Sequence, residues 1–153
     1  MIKDNSSFAP KLLGYLGLVP FITTTSLLFL DKGHSALWSH LLISYAAVIL
    51  SFVGALHWAF AMTINKSSQF ERQLGFIWSV IPSLVAFISL FINEFFALIL
   101  ISIFFMLNLL KDKKLQKSID LPCWYLPLRS NLTLVVISCL AISAFHSKIL
   151  ISF

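Results

Sequence analysis

Five long apolar runs, separated by short polar stretches, account for nearly the whole chain. They cover residues 12–30, 36–63, 73–92, 95–110 and 130–153. A helix that crosses a bilayer needs roughly 20 mostly apolar residues. The second run is longer and has room to span with tilt. The pattern therefore predicts an all-α fold, a polytopic membrane protein with a bundle of five transmembrane helices in a single domain over 1–153. The separators are Asp31-Lys32-Gly33-His34-Ser35, the polar stretch 65–72, Asn93-Glu94, and 111–129, the sole sizeable loop. Read as one helix, the third and fourth runs would far exceed the bilayer and leave Glu94 in hydrocarbon, where charge is costly. A tight helical hairpin at Asn93-Glu94 is expected instead.

Composition supports this reading. Of the 153 residues, 59% are hydrophobic and 11% charged, against roughly 25% charged in soluble domains. The net charge is +5, but the basic residues sit in short separators with no aromatic-interleaved patch. Nucleic acid is therefore not an expected partner, and the lipid bilayer is. Lys3 and Lys11 precede the first apolar run as in a signal peptide, but the run exceeds the roughly 7–15 residues of such a segment. It is read as a retained first helix. No Arg-rich amphipathic transit segment is seen, which favours a bacterial inner (cytoplasmic) membrane.

Charge then sets orientation. With the N-terminus inside, Lys3, Lys11, Lys66, Arg72, Lys111, Lys113, Lys114, Lys117 and Arg129 lie inside, and Lys32 and Lys148 outside. Basic residues collect on the cytoplasmic side. The N-terminus is expected in the cytoplasm and the C-terminus in the periplasm.

Small residues let membrane helices approach closely. The second run has Ser44, Ala47, Ser51 and Gly54 on one face, and the third has Gly75, Ser79, Ser83 and Ala86. The fourth run, rich in Phe, Ile and Leu, has no such stripe. The second and third helices are expected at the packed centre and the fourth at the lipid-facing periphery. Pro20 and Pro82 fall inside helices, where each removes a backbone hydrogen bond and tends to kink. Thr24, Ser79 and Ser83 are placed to supply hydroxyls.

Candidate chemistry is sparse. His57 is the ionisable side chain deepest in a confident run, about five residues or roughly 8 Å from its inner end. An intramembrane His marks a candidate functional site, and a neutral His bonded to a neighbouring hydroxyl is the bland alternative. His34, His40 and His146 fall near the opposite side, so no metal set or other cofactor site is expected. A nucleophilic triad would need Ser51 or Ser79 and an acid beside His57, for which Asp112 is the nearest candidate. Cys123 and Cys139 are expected to lie too far apart for a disulfide. Unusual residues gather at the inner end: Tyr15, Gly54, His57, Trp58, Trp78, Ser79, Pro82, Trp124 and Arg129 form the candidate ligand or partner site. An ordinary interfacial belt of aromatic and basic anchors would give a similar collection.

Four strings carry a family resemblance: residues 13–21 (LGYLGLVPF), 45–58 (YAAVILSFVGALHW), 78–83 (WSVIPS) and 122–132 (PCWYLPLRSNL). The chain resembles a family of uncharacterised bacterial membrane proteins, a domain of unknown function that includes mitochondrial transmembrane protein 69. The resemblance covers nearly the whole chain and implies a small five-helix inner-membrane protein, without supplying an activity. Two readings follow. One is a non-enzymatic accessory or assembly component of a larger, respiratory-type membrane complex, with other membrane subunits or a second copy as partners. The alternative is a binder or carrier of a small amphipathic ligand, such as a quinone or lipid, in the cytoplasmic leaflet. An enzyme is the weaker expectation, since no acid–base pair stands out.

Overall fold

The computed structural model describes residues 8–63, 69–116 and 121–151, with 149–151 described by backbone alone. Lys3, Asn65, Lys66, Lys117 and Asp120 lie outside the described residues. The elements run α1 (Phe8–Leu16), α2 (Val19–Leu30), a 3-10 turn (Lys32–His34), α3 (Ser35–Thr63), α4 (Gln69–Ser89), α5 (Glu94–Leu115) and α6 (Tyr125–Ile151). Helices α1 and α2 together form the first apolar run. Among the described residues, five helices are long and apolar enough to cross a membrane.

The break between α1 and α2 falls at Gly17 and Leu18, just before Pro20. Proline at the second position of α2 needs no N–H there and suits a helix start. The hydroxyl of Tyr45, on α3, donates to the carbonyl of Gly17 at 3.0 Å. A carbonyl at a helix break thus gains a partner from the neighbouring helix, as an apolar surrounding demands. Thr24 donates to the carbonyl of Pro20 itself, at 2.6 Å. Helix α4 continues through Pro82. There the Ser79 hydroxyl donates to Phe76 O at 2.6 Å, within its own helix.

The α3–α4 contact is the most extensive in the bundle. A side chain at Gly54 would bring its Cβ within 2.7 Å of Pro82 Cβ, and one at Gly75 within 3.0 Å of Ala61 Cβ. The two small-residue faces do meet. Close approach is not centrality, however, and here two expectations fail. The buried core is built by α2, α3, α5 and α6, through Phe21, Leu42, Leu50, Ile101, Phe105 and Leu140. Helix α4 contributes Ala86 to it and turns Ile77, Leu84, Phe87 and Ile88 outward. Helix α5, expected at the periphery, packs against α3, α4 and α6 and buries Ala97, Leu98, Ile101, Phe105, Asn108, Leu109 and Asp112. Small residues beside it are supplied by α6: Ala141 and Ala144 line a shared groove with Leu98, Ile99 and Ile103 of α5. Large side chains on one helix and small ones on the other fill an interface as well as two matched stripes.

The separators are also shorter than expected. Helix α5 continues to Leu115, and α6 begins at Tyr125, so Lys111, Asp112 and Arg129 are helical rather than loop residues. At the other end, Asn93 caps α5 by accepting from Phe95 N at 3.0 Å. The Ser39 hydroxyl of α3 donates to Glu94 Oε2 at 2.9 Å and ties α3 to the start of α5. The turn before α3 is closed by Asp31, which meets His34 Nδ1 at 3.1 Å and accepts from Trp38 Nε1 at 3.2 Å.

Candidate functional site

Helices α3, α5 and α6 each bring one ionisable side chain to a common point near the end of the bundle. His57 lies six residues before the end of α3, Asp112 three before the end of α5 and Arg129 four after the start of α6. At 1.5 Å rise, these offsets are about 9, 5 and 6 Å. All three residues are buried, with 6%, 1% and 9% of their surface exposed. Arg129 Nε donates to Asp112 Oδ2 at 3.0 Å. His57 Nε2 stands 3.4 Å from Asp112 Oδ1, within ion-pair reach but without the alignment of a hydrogen bond. One carboxylate thus engages groups from two other helices, one through each oxygen.

The pairing explains the local folding. An unpaired carboxylate or guanidinium would be strongly disfavoured inside the bundle. Matched to each other, Asp112 and Arg129 let α5 and α6 extend past their apolar runs as helix. Asn108, one turn before Asp112, is fully buried and donates through Nδ2 to Phe104 O at 2.8 Å. Its Oδ1 has no hydrogen-bond partner among the described residues. On α6, Tyr125, Arg129 and Thr133 recur every four residues and share a face. The Tyr125 hydroxyl, Arg129 Nη2 and Thr133 Oγ1 are buried and likewise unpartnered among the described residues.

Two cavities flank the cluster. The larger, about 380 Å³, is bounded by α1, α2, α3 and α6 with Phe105 of α5, and is lined almost wholly by apolar side chains, with Tyr125, Arg129 and Thr133 among its walls. The smaller, about 270 Å³, lies on the α4 side and is lined by His57, Glu71, Trp78, Lys111 and Lys114 among others. The Lys111 ammonium sits 4.6 Å from the centre of the Trp78 ring, a cation–π contact.

The candidate residues read from the sequence separate into three groups. His57, Trp78, Trp124 and Arg129 line one or other of the two cavities. Gly54, Ser79 and Pro82 form the tight α3–α4 contact. Tyr15 and Trp58 are about half exposed on the outer surface, and Trp58 packs edge-on against Phe76 with ring centres 5.0 Å apart. Asp112, named from the sequence only as the nearest candidate acid for His57, is the centre of the cluster. Its signal was Asn108 and Asp112 four residues apart, on the stripe that also holds Ile101 and Phe105. The serines do not complete a nucleophilic triad. Ser51 donates to Ala47 O and Ser79 to Phe76 O, each within its own helix. Among the described residues, no group of three His, Cys, Asp or Glu side chains could hold a metal ion.

Fold and cluster together define a polytopic helical protein of membrane type with an ion cluster buried between its helices. The chain belongs to the family described as Protein of unknown function (DUF3429), which matches residues 7–145. It is similar to "Transmembrane protein 69" of Xenopus tropicalis, with 26% identity over 144 residues. That alignment covers 92% of this chain and 56% of the relative, so the chain spans little more than half the relative's length. No solved structure matches it.

Proposed function

We propose that the protein binds a small amphipathic molecule of the quinone or lipid kind, with the ligand's polar head at the His57–Asp112–Arg129 cluster. The observation that carries this reading is the cluster itself, three buried ionisable groups meeting inside apolar helices. Ionisable groups in such a place are costly, and a binding or transport role is their usual explanation. Cavities on both sides of the cluster give a ligand room beside it.

Native mass spectrometry of protein purified in mild detergent tests the reading. The wild type should carry a co-purified small molecule that His57→Ala and Asp112→Asn retain less well. Equal retention by all three proteins would end the proposal.

The other reading, an accessory or assembly subunit of a larger respiratory-type complex, draws its support from small size and paired helix faces. A partner co-purifying at fixed stoichiometry from native membranes would favour it over ligand binding. A bacterial inner-membrane location is part of this proposal, and the distribution of Lys and Arg supports an N-terminus in the cytoplasm. That orientation would put the cluster in the cytoplasmic leaflet. A reporter that is active only in the periplasm, fused after Phe153, should be active.

A further inference from the structure

The larger cavity differs from its neighbour in being lined almost wholly by apolar side chains, where the smaller one has Glu71, Lys111 and Lys114 among its walls. Yet Arg129 and Thr133 line the larger cavity with donors that have no partner. Both residues are at least nine-tenths buried. A buried donor without an acceptor is unfavourable, and so is seldom left unmatched in a native protein. The charge of Arg129 is already met by Asp112 through Nε. The free Nη2 therefore offers a hydrogen bond more than an unbalanced charge, and a second carboxylate here would face Asp112 across the same guanidinium. An uncharged acceptor oxygen suits it better.

Access is lateral. Leu13 and Phe52 line the cavity and are 69% and 64% exposed on the outer face of the bundle. In a bilayer that face meets acyl chains. The volume of about 380 Å³ lies at the low end of the roughly 300–1,000 Å³ of small-molecule sites. It suits a head and the first part of a tail, with the rest of the tail in lipid.

We propose that this cavity is a binding site for an apolar chain bearing an uncharged carbonyl head, with Arg129 Nη2 and Thr133 Oγ1 donating to the carbonyl oxygen. Quinones and acyl esters share that chemistry. The inference rests on the ligand-binding reading above and narrows it to one cavity and one kind of head.

The test is equilibrium binding to the purified full-length chain in nanodiscs, with decylubiquinone, mono-olein and oleate as separate probes. At least one of the two carbonyl probes should saturate the wild type, and the tighter one identifies the source class. Thr133→Val keeps the shape and removes a donor, so it should weaken binding about three- to tenfold, the value of one ordinary hydrogen bond. Leu56→Trp, which fills the cavity, should abolish binding. Lys114→Gln, in the smaller cavity, should leave it unchanged. Thermal melting by circular dichroism checks that each variant is folded; if Leu56→Trp is not, Thr133→Val alone decides. Binding of oleate without the carbonyl probes would overturn the proposed head. Loss of binding in Lys114→Gln with none in Thr133→Val would move the ligand to the other cavity, leaving the broader binding reading intact. Failure of all three probes overturns the ligand class, and the mass spectra of co-purified material then judge the broader reading separately.

Discussion

Asp112 and Arg129, 17 residues apart on consecutive helices, meet as a buried ion pair with Nε donating to Oδ2 at 3.0 Å. The pair joins the last turn of α5 to the start of α6, and His57 reaches the other carboxylate oxygen from α3. Removing one partner leaves the other charge buried and alone, which typically costs about 3–5 kcal/mol. Asp112→Asn should therefore lower the stability of the purified protein by a few kcal/mol, read as an earlier midpoint in denaturant unfolding. The double variant Asp112→Leu with Arg129→Leu removes both charges and should recover most of that loss. A double variant as unstable as the single one would show that the pair matters through something other than charge matching.

The number of spanning helices was legible because hydrophobic runs of bilayer length are a strong signal. The cluster was half legible. His57 and Arg129 drew notice as polar residues in or beside apolar runs, whereas Asp112 entered only as the nearest acid to His57 and, like Arg129, fell in the stretch 111–129 read as a loop. An apolar run ends where charge begins, but a helix does not need to end there if its charge is matched by a neighbour's. That matching is a tertiary fact and has no signature in either run alone. The rank of α5 was misjudged for a related reason. A small-residue stripe reports how closely two backbones approach, and α5 meets α6 through its own large side chains against small ones on the partner. Gly54 opposite Pro82, in contrast, could be anticipated from two short stretches of sequence, because only small residues fit where backbones nearly touch.

Gly54 is a point of tight approach between α3 and α4. A Cβ there would stand 2.7 Å from Pro82 Cβ, 2.8 Å from Pro82 Cγ and 3.2 Å from Ser79 O. A proline ring and a backbone carbonyl cannot rotate aside, so the helices themselves must part. Gly54→Ala should destabilise by about 1–3 kcal/mol, the usual range for overpacking. Gly14→Ala is a fitting comparison, since its close neighbour at 2.9 Å is the end of the Leu132 side chain, which can turn. Melting temperatures in detergent should fall clearly for the first and little for the second.

Asp31 gives the turn before α3 a pH dependence. Its hydrogen bond to His34, and secondarily that to Trp38, hold the carboxyl below its ordinary value of 3.8. A carboxyl whose folded value is depressed adds stability above its unfolded value and loses it as pH falls through the folded one. The turn should thus be intact at neutral pH and loosen below about pH 4, the ordinary range of an aspartate. Hydrogen exchange at the His34 amide, which donates to Asp31 O at 3.1 Å, should accelerate relative to a reference amide in that acid range. In Asp31→Asn the acid-dependent part should vanish. An unchanged profile in that variant would assign the effect to another group.

The place of α5 in the core can be tested directly. Phe105 is 1% exposed and lies 6.5 Å ring to ring from Phe21 of α2, while Ile103, two residues away, is 50% exposed. In lipid, little transfer energy separates a buried apolar side chain from an exposed one, so the difference comes from packing. Phe105→Ala removes packing among α2, α3, α5 and α6 and enlarges the larger cavity, one wall of which Phe105 forms. It should destabilise by less than the roughly 3–5 kcal/mol seen in water-soluble cores, but still measurably. At Ile103, alanine leaves a gap that a lipid or detergent chain can occupy, and the change should be close to neutral. Unfolding both variants in the same detergent distinguishes the cases. Equal, small effects would return α5 to the periphery, whereas a clear excess for Phe105→Ala fixes it as one of the helices that holds Asp112 rigidly against Arg129.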